Sequence, residues 1–292
     1  MRISILTVAL NAVACAQTLQ GVVDIHAHSG PDVVPRSIDA LSIVKLAKAR
    51  GFRGIVLKNH YEPTASLATL ARMGNPGIEV FGGIALNRAV GGVNLAAVER
   101  MARVDGKFGR IVWMPTFDSE NQVRVNKENR PFVPVSRDGK LLPEVIEVIG
   151  FVARNGLTLA TGHSTPAEGL AMVREGRKRG ARSMVVTHGA LAPVSMSVAQ
   201  MREAAAEGAY VEFVGNAVIG NSQSTTFEKY VEAMRAVGLD RVILSSDLGQ
   251  AGNPLHPDGL ETIFAGLRGA GMTIEEIDRI AKRNPARLLS LE

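Results

Sequence analysis

Val22-Val23-Asp24-Ile25-His26-Ala27-His28 is an apolar, largely β-branched run that ends in two imidazoles two residues apart. Such a run reads as a buried strand, and its polar end as the point where the strand leaves the core. Comparable runs recur seven times downstream, at Gly54–His60, Glu79–Leu86, Arg110–Thr116, Leu157–His163, Ser183–His188, Ala209–Gly215 and Arg241–Asp247. Between them apolar residues repeat at helical spacing over Asp39–Arg50, Thr64–Met73, Leu95–Arg103, Leu142–Asn155, Thr165–Arg179, Ser197–Glu207, Phe227–Val237 and Gly259–Gly269. Gly51, Gly156, Gly180 and Gly238 punctuate the ends of these stretches, where glycine tolerates the left-handed conformation that stops a helix. Eight strands, each followed by a helix, predict an α/β fold: a single-domain (β/α)8 TIM-type barrel. A tail helix, Thr273–Arg283 and then Asn284–Leu289, closes the chain.

The composition agrees. The chain has 292 residues, 46% hydrophobic and 21% charged, enough for one large core. A single cysteine excludes a disulfide scaffold, and 4% aromatic content leaves little material for stacking nucleic-acid bases. The formal charge of +5 permits anionic partners without requiring nucleic acid. The basic run Arg174, Arg177, Lys178, Arg179 and Arg182 sits where cations offset a helix C-terminus, and reads as a solvated face. The expected partner is a small-molecule substrate, not nucleic acid, with a homo-oligomer compatible. Residues 1–16 carry one positive charge, a short apolar run and Ala14-x-Ala16, the pattern of a secretory signal peptide. The domain is then 17–292 and the protein exported, periplasmic or secreted; without cleavage it is cytoplasmic. Lipidation at Cys15 is a further alternative. The leader is too short for a stable membrane span, and no other segment reaches ~18 apolar residues.

One connection exceeds what geometry needs. Residues 117–141 follow the fourth strand and contain Asp138-Gly139, a hairpin turn signal. In a barrel this hairpin-like insertion lies on the catalytic face, as a lid or as plain decoration.

Five of the six histidines, His26, His28, His60, His163 and His188, stand at predicted strand ends, which face one rim in a barrel. Alternation along a strand puts His26 and His28 on one side, and Lys58 with His60. It also turns Asp24 inward, as a partner to fix an imidazole tautomer. Five imidazoles on one rim repel each other when protonated, so a bound cation accounts for them better than chance. A divalent ion is expected: zinc first, with manganese or iron as alternatives. Asp247 ends the eighth strand, where one carboxylate oxygen can bind metal and the other accept a proton; a helix N-cap is the alternative. His256, on a Pro-flanked loop at the same rim, reads as a substrate contact or a surface residue. Arg88, with Arg124, Lys127, Arg130 and Arg137, lies near the rim or insertion and points weakly to an acidic substrate.

Asp24-Ile25-His26-Ala27-His28 on the first strand, His163 on the fifth, His188 on the sixth and Asp247 on the eighth resemble the amidohydrolase superfamily. The resemblance implies a distorted barrel holding one or two divalent metals. In it a metal-activated water attacks an amide, lactone, ester or similar bond of a small molecule, with Asp247 as general base. His26, His28 and Asp247 would then hold the more buried ion; His163 and His188 would complete a second site or orient substrate. The fourth strand departs from the pattern. Ile111-Val112-Trp113-Met114-Pro115-Thr116 lacks the bridging Lys or Glu of binuclear members. Lys58, if carboxylated, would bridge instead, and His60 would be an extra ligand. Gly54–His60 also resembles the second motif of the polymerase-and-histidinol-phosphatase family, which implies phosphoester cleavage. A single-metal decarboxylase and a non-catalytic metal- or ligand-binding barrel are further alternatives.

Overall fold

The computed structural model describes residues 18–291. The expected leader lies outside them. Eight parallel strands form the barrel: β1 (Val23–Ala27), β2 (Gly54–Leu57), β3 (Glu79–Ala85), β4 (Gly109–Trp113), β7 (Thr158–Ala160), β8 (Ser183–Val186), β9 (Tyr210–Val214) and β10 (Val242–Ser245). They pair in that order. The ring closes between its last and first strands through Asp247 N–H to the His26 carbonyl (2.8 Å) and His28 N–H to the Leu248 carbonyl (2.9 Å). Helices α1 (Ala40–Ala49), α2 (Ala65–Gly74), α3 (Leu95–Ala102), α5 (Pro143–Arg154), α6 (Pro166–Lys178), α7 (Val198–Ala206), α8 (Phe227–Val237) and α9 (His256–Gly269) alternate with the strands, the (β/α)8 barrel that the sequence predicts. Thr165 caps α6 through a reciprocal bond with Glu168, and Ser197 caps α7 likewise with Gln200.

Two apolar layers result. Ala27, Ile55, Leu57 and Val112 pack outward against the helices. Val23, Ile25, Val56, Phe81, Ile111, Trp113, Val185 and Ile243 fill the barrel, joined by Ala286, Leu288 and Leu289 from the chain's end. That end is not one helix. Ile274–Asp278 (α10) runs through a π turn, Arg279–Arg283, into Asn284–Leu288 (α11). Pro285 has no N–H to continue a regular ladder, so a wider turn is accommodated there.

The strand alternation expected for β1 breaks. Val23 and Ile25 both face the interior while Ala27 faces out, and the register with β2 shifts between Asp24 and Ala27. Asp24 pairs with Ile55, an outward residue, so it stands on the opposite side from Val23 and Ile25. The irregularity aims His26 and His28 into the site while leaving Asp24 outside it.

The insertion forms the expected hairpin, β5 (Ser136–Arg137) with β6 (Lys140–Leu141), and Asp138 and Gly139 both take positive φ, 51° and 73°. It also holds a helix the reading missed, α4 (Glu120–Val125), capped by Ser119 accepting from Gln122 N–H. The basic run is paired: Arg174 with Glu203, Arg177 with Glu207 and Arg179 with Glu175. Among the described residues no helix is long and apolar enough to cross a membrane.

Candidate metal centre

The C-terminal strand ends surround a cavity of about 500 Å3 whose lining includes His26, His28, Lys58, His60, His163, His188 and Asp247. Five strands therefore deliver the residues singled out in the sequence to one place. Within it, ligand atoms of His26, His28 and Asp247 lie within 4.8 Å of one another. His60, His163 and His188 line the cavity outside that group.

The hydrogen bonds fix which nitrogen of each imidazole is free. His28 Nδ1 lies 2.7 Å from the Lys58 carbonyl, to which it must donate, so its Nε2 carries a lone pair. His26 Nδ1 donates to Glu212 Oε1 (3.1 Å), leaving its Nε2 bare as well. Both Nε2 atoms lie 3.1 Å from the same oxygen, Asp247 Oδ1. Three candidate ligand atoms thus converge on one point. His163 Nδ1 is bonded to Gln122 Oε1 (2.7 Å), and its Nε2 lies 3.1 Å from that of His188.

Burial disfavours the charged form of four of these rings. It pushes His28 down to about 3, helped by the nearby Lys58 charge, and lowers His60, His163 and His188 as well. For Asp247 burial acts upward, but the surrounding imidazoles outweigh it and hold the carboxyl well below the usual carboxylate range. Burial likewise lowers the Lys58 ammonium to about 8. Neutral imidazoles beside an ionised carboxylate are the donor set that zinc and similar ions take. His26 Nε2 is buried without a hydrogen-bond partner, which a cation would relieve. The residues present therefore fit a divalent ion.

The backbone is bent to serve this point. His188 and Asp247 have positive φ, 27° and 49°, a conformation that costs a non-glycine residue about 1–3 kcal/mol. Gly249 (φ 114°) passes so close to His28 that a Cβ there would collide with the His28 carbonyl. A glycine is required at that turn.

Three expectations need correction. His256 is the first residue of α9, fully buried and absent from the cavity lining, so it is neither a substrate contact nor a surface residue. Its loop folds back into the core as the helix starts. Arg88 is exposed and lines a neighbouring recess with Tyr61, Phe117, Asp118 and Arg130, outside the histidine cavity. Asp24 does not orient an imidazole: its Oδ1 accepts from the backbone N–H of His26 (3.2 Å) and Ser246 (3.0 Å).

The carboxylate that does orient His26 is Glu212, unnoticed in the sequence. It also accepts from Ser245 Oγ (2.7 Å) and from His188 N–H (3.0 Å), so it ties three strand ends together. The signal was there, a lone acid in the apolar strand Tyr210-Val211-Glu212-Phe213-Val214. Asn216, also missed, holds Asp247 Oδ2 at 2.9 Å. Phe117, from the insertion, stacks on His60 with ring centroids 3.7 Å apart.

Solved structures share this fold at low sequence identity. An amidohydrolase from Pseudomonas aeruginosa matches with a TM-score of 0.63 at 14% identity, over 92% of this chain and 95% of that one. A 2,6-dihydroxybenzoate decarboxylase, complexed with 2,6-dihydroxybenzoate, matches with a TM-score of 0.60 at 14% identity, over 93% and 99%. An amidohydrolase from Burkholderia multivorans with bound zinc matches with a TM-score of 0.55 at 15% identity, over 92% and 99%. The barrel is the one found in amidohydrolase-superfamily structures. No curated protein matches the sequence significantly. A family model described as a family of unknown function, DUF6282, matches residues 21–212, from the start of β1 into β9. That match spans most of the chain and most of the histidine cluster, and the protein belongs to this family.

Proposed function

We propose that the chain is a metal-dependent hydrolase of small molecules, with His26, His28 and Asp247 holding a divalent cation, zinc first among the candidates. One observation carries the reading: His26 Nε2 and His28 Nε2 both lie 3.1 Å from Asp247 Oδ1, and ligand atoms of the three residues fall within 4.8 Å of one another, the spacing a single cation would need. A cation bound there supplies Lewis acidity toward a water and toward the scissile group's oxygen.

The chain's own residues do the rest. Asp247 Oδ2, steadied by Asn216, takes the proton of the attacking water and returns it to the leaving group. His163 and His188, whose Nε2 atoms face each other 3.1 Å apart, line the cavity beside this group and orient the substrate there. Glu212 holds the imidazole of His26 and the backbone of His188 in place. Val34, Phe117, Leu191 and Pro193 supply apolar wall that keeps bulk water from the reacting atoms. An amide, lactone or ester bond suits this arrangement.

Elemental analysis of the purified protein, paired with a panel of esters, lactones, amides and phosphoesters, tests the reading. Metal bound in stoichiometric amount and turnover that falls about 10²–10⁴-fold in Asp247→Asn are expected, the range for a lost general base. Unchanged turnover in Asp247→Asn removes it from the base role, and a protein that takes up no metal ends the proposal. A decarboxylase is the second reading, favoured by the fold shared with the 2,6-dihydroxybenzoate enzyme. Release of carbon dioxide from an aromatic acid distinguishes it.

A further inference from the structure

Among the described residues lining the cavity, Lys58 is a cation with neither a hydrogen bond nor an ion pair, and its Nζ stands over the Trp113 ring. It follows β2, is 1% exposed, and lines the cavity with its Nζ 5.6 Å from the centroid of Trp113 on the barrel's inner layer. Its Nζ has no hydrogen-bond partner, and among the described residues no ion pair within 4.0 Å includes it. A buried ammonium left alone is costly, so a counter-charge is called for.

The nearby carboxylates are all engaged. Glu212 spends both oxygens on His26, Ser245 and the His188 backbone. Asp247 turns Oδ1 to the two imidazoles and Oδ2 to Asn216. Asp32 is held by Arg36, the other cation of the cavity lining, which leaves Arg36 neutralised too. A cation held by His26, His28 and Asp247 would compete with Lys58 for the charge of Asp247.

We propose that Lys58 is the specificity-determining residue that binds an anionic group of the substrate, and that the substrates of this site are small carboxylate anions. One free ammonium matches one carboxylate, and a cavity of about 500 Å3 falls in the range of small-molecule sites. Seated on Lys58, the carboxylate end anchors the molecule at the β2 side of the cavity while its scissile bond lies toward Asp247 and His188. The substrate role rests on the reading of the centre as a metal-dependent hydrolase; the anion site rests on Lys58 alone.

The test uses the full chain, zinc-loaded and metal-free, with isobutyrate and its uncharged isostere isobutyramide as calorimetric probes. Isobutyrate is expected to bind at least tenfold tighter than the amide, and Lys58→Met to lose at least tenfold in isobutyrate affinity in both forms. Lys58→Met should melt no lower than the parent, because it keeps the apolar stem and removes an unpaired buried charge. Equal affinity in Lys58→Met, equal binding of the amide, or no binding of either probe overturns the proposal. So does a lowered melting temperature in both Lys58→Met and Lys58→Gln, which marks a structural role. A carbamate signal from ¹³C-bicarbonate that disappears in Lys58→Met also overturns it, since Lys58 would then be an anion. If the parent takes up no zinc yet shows Lys58-dependent isobutyrate binding, the hydrolase reading fails and the anion site stands.

Discussion

The lower and upper halves of the barrel interior are equally buried and chemically opposite. Below, Val23, Ile25, Val56, Phe81, Ile111 and Ile243 meet Ala286, Leu288 and Leu289, and dispersion and burial need nothing more from them. Above, His26, His28, Lys58, His60, His163, His188 and Glu212 are between 1% and 7% exposed, yet His26 Nε2, His188 Nδ1 and Lys58 Nζ have no hydrogen-bond partner. A protein under selection for stability alone would fill both halves like the lower one. The contrast shows where cohesion ends and chemistry begins: the boundary runs through Trp113, which packs with the lower layer and faces both His26 and Lys58.

The sharpest way to break that division is to damage the lower half. Leu288→Ala removes a side chain 1% exposed from the inner cluster and should cost about 2–5 kcal/mol by transfer and cavity terms. Denaturant melts measure the loss, and zinc stoichiometry should not change. Zinc lost along with stability would mean that the two halves are one cooperative structure and the division is wrong.

The upper half should respond to a bound cation instead. Zinc that binds the folded protein alone should stabilise it by about 2.7 kcal/mol at a free concentration a hundred times its dissociation constant. For a chain of this size that is a rise of roughly 4–5 °C in melting temperature. A chelator should reverse it. In His26→Ala the response to zinc should disappear, and a rise of the same size in that variant would locate the ion elsewhere.

The fold and the site were not equally legible. Strand ends, helix stops and the Asp138-Gly139 turn are local signals, written in residues that neighbour one another in sequence, and the barrel followed from them. The five clustered histidines and Asp247 were legible because the barrel's topology alone sends strand ends to one rim. What failed was finer geometry. Strict alternation turned Asp24 inward, but a register shift inside β1 exists only in the pairing with β2. His256 reads as a loop residue until one sees its loop continue directly into α9. Glu212 sits 186 residues from His26, and no local pattern announces that the two will touch.

Glu212 also gives the smallest and most discriminating of the effects. Its Oε1 accepts from His26 Nδ1 and Ser245 Oγ, and its Oε2 from the His188 backbone N–H. In Glu212→Gln the carbonyl oxygen can still serve His26, but the new amide N–H₂ then meets the His188 N–H, donor against donor. The imidazole keeps its tautomer and loses its anionic partner, so zinc should bind about 10–100-fold more weakly. That is about 1.4–2.7 kcal/mol, readable by competition with a chromophoric chelator. Weakening of this size with the melting curve of the metal-free protein little changed would mark Glu212 as a positioning residue of the upper half. Unaltered zinc affinity would mean that packing alone aims His26, and that the polar layer is held by the same forces as the apolar one beneath it.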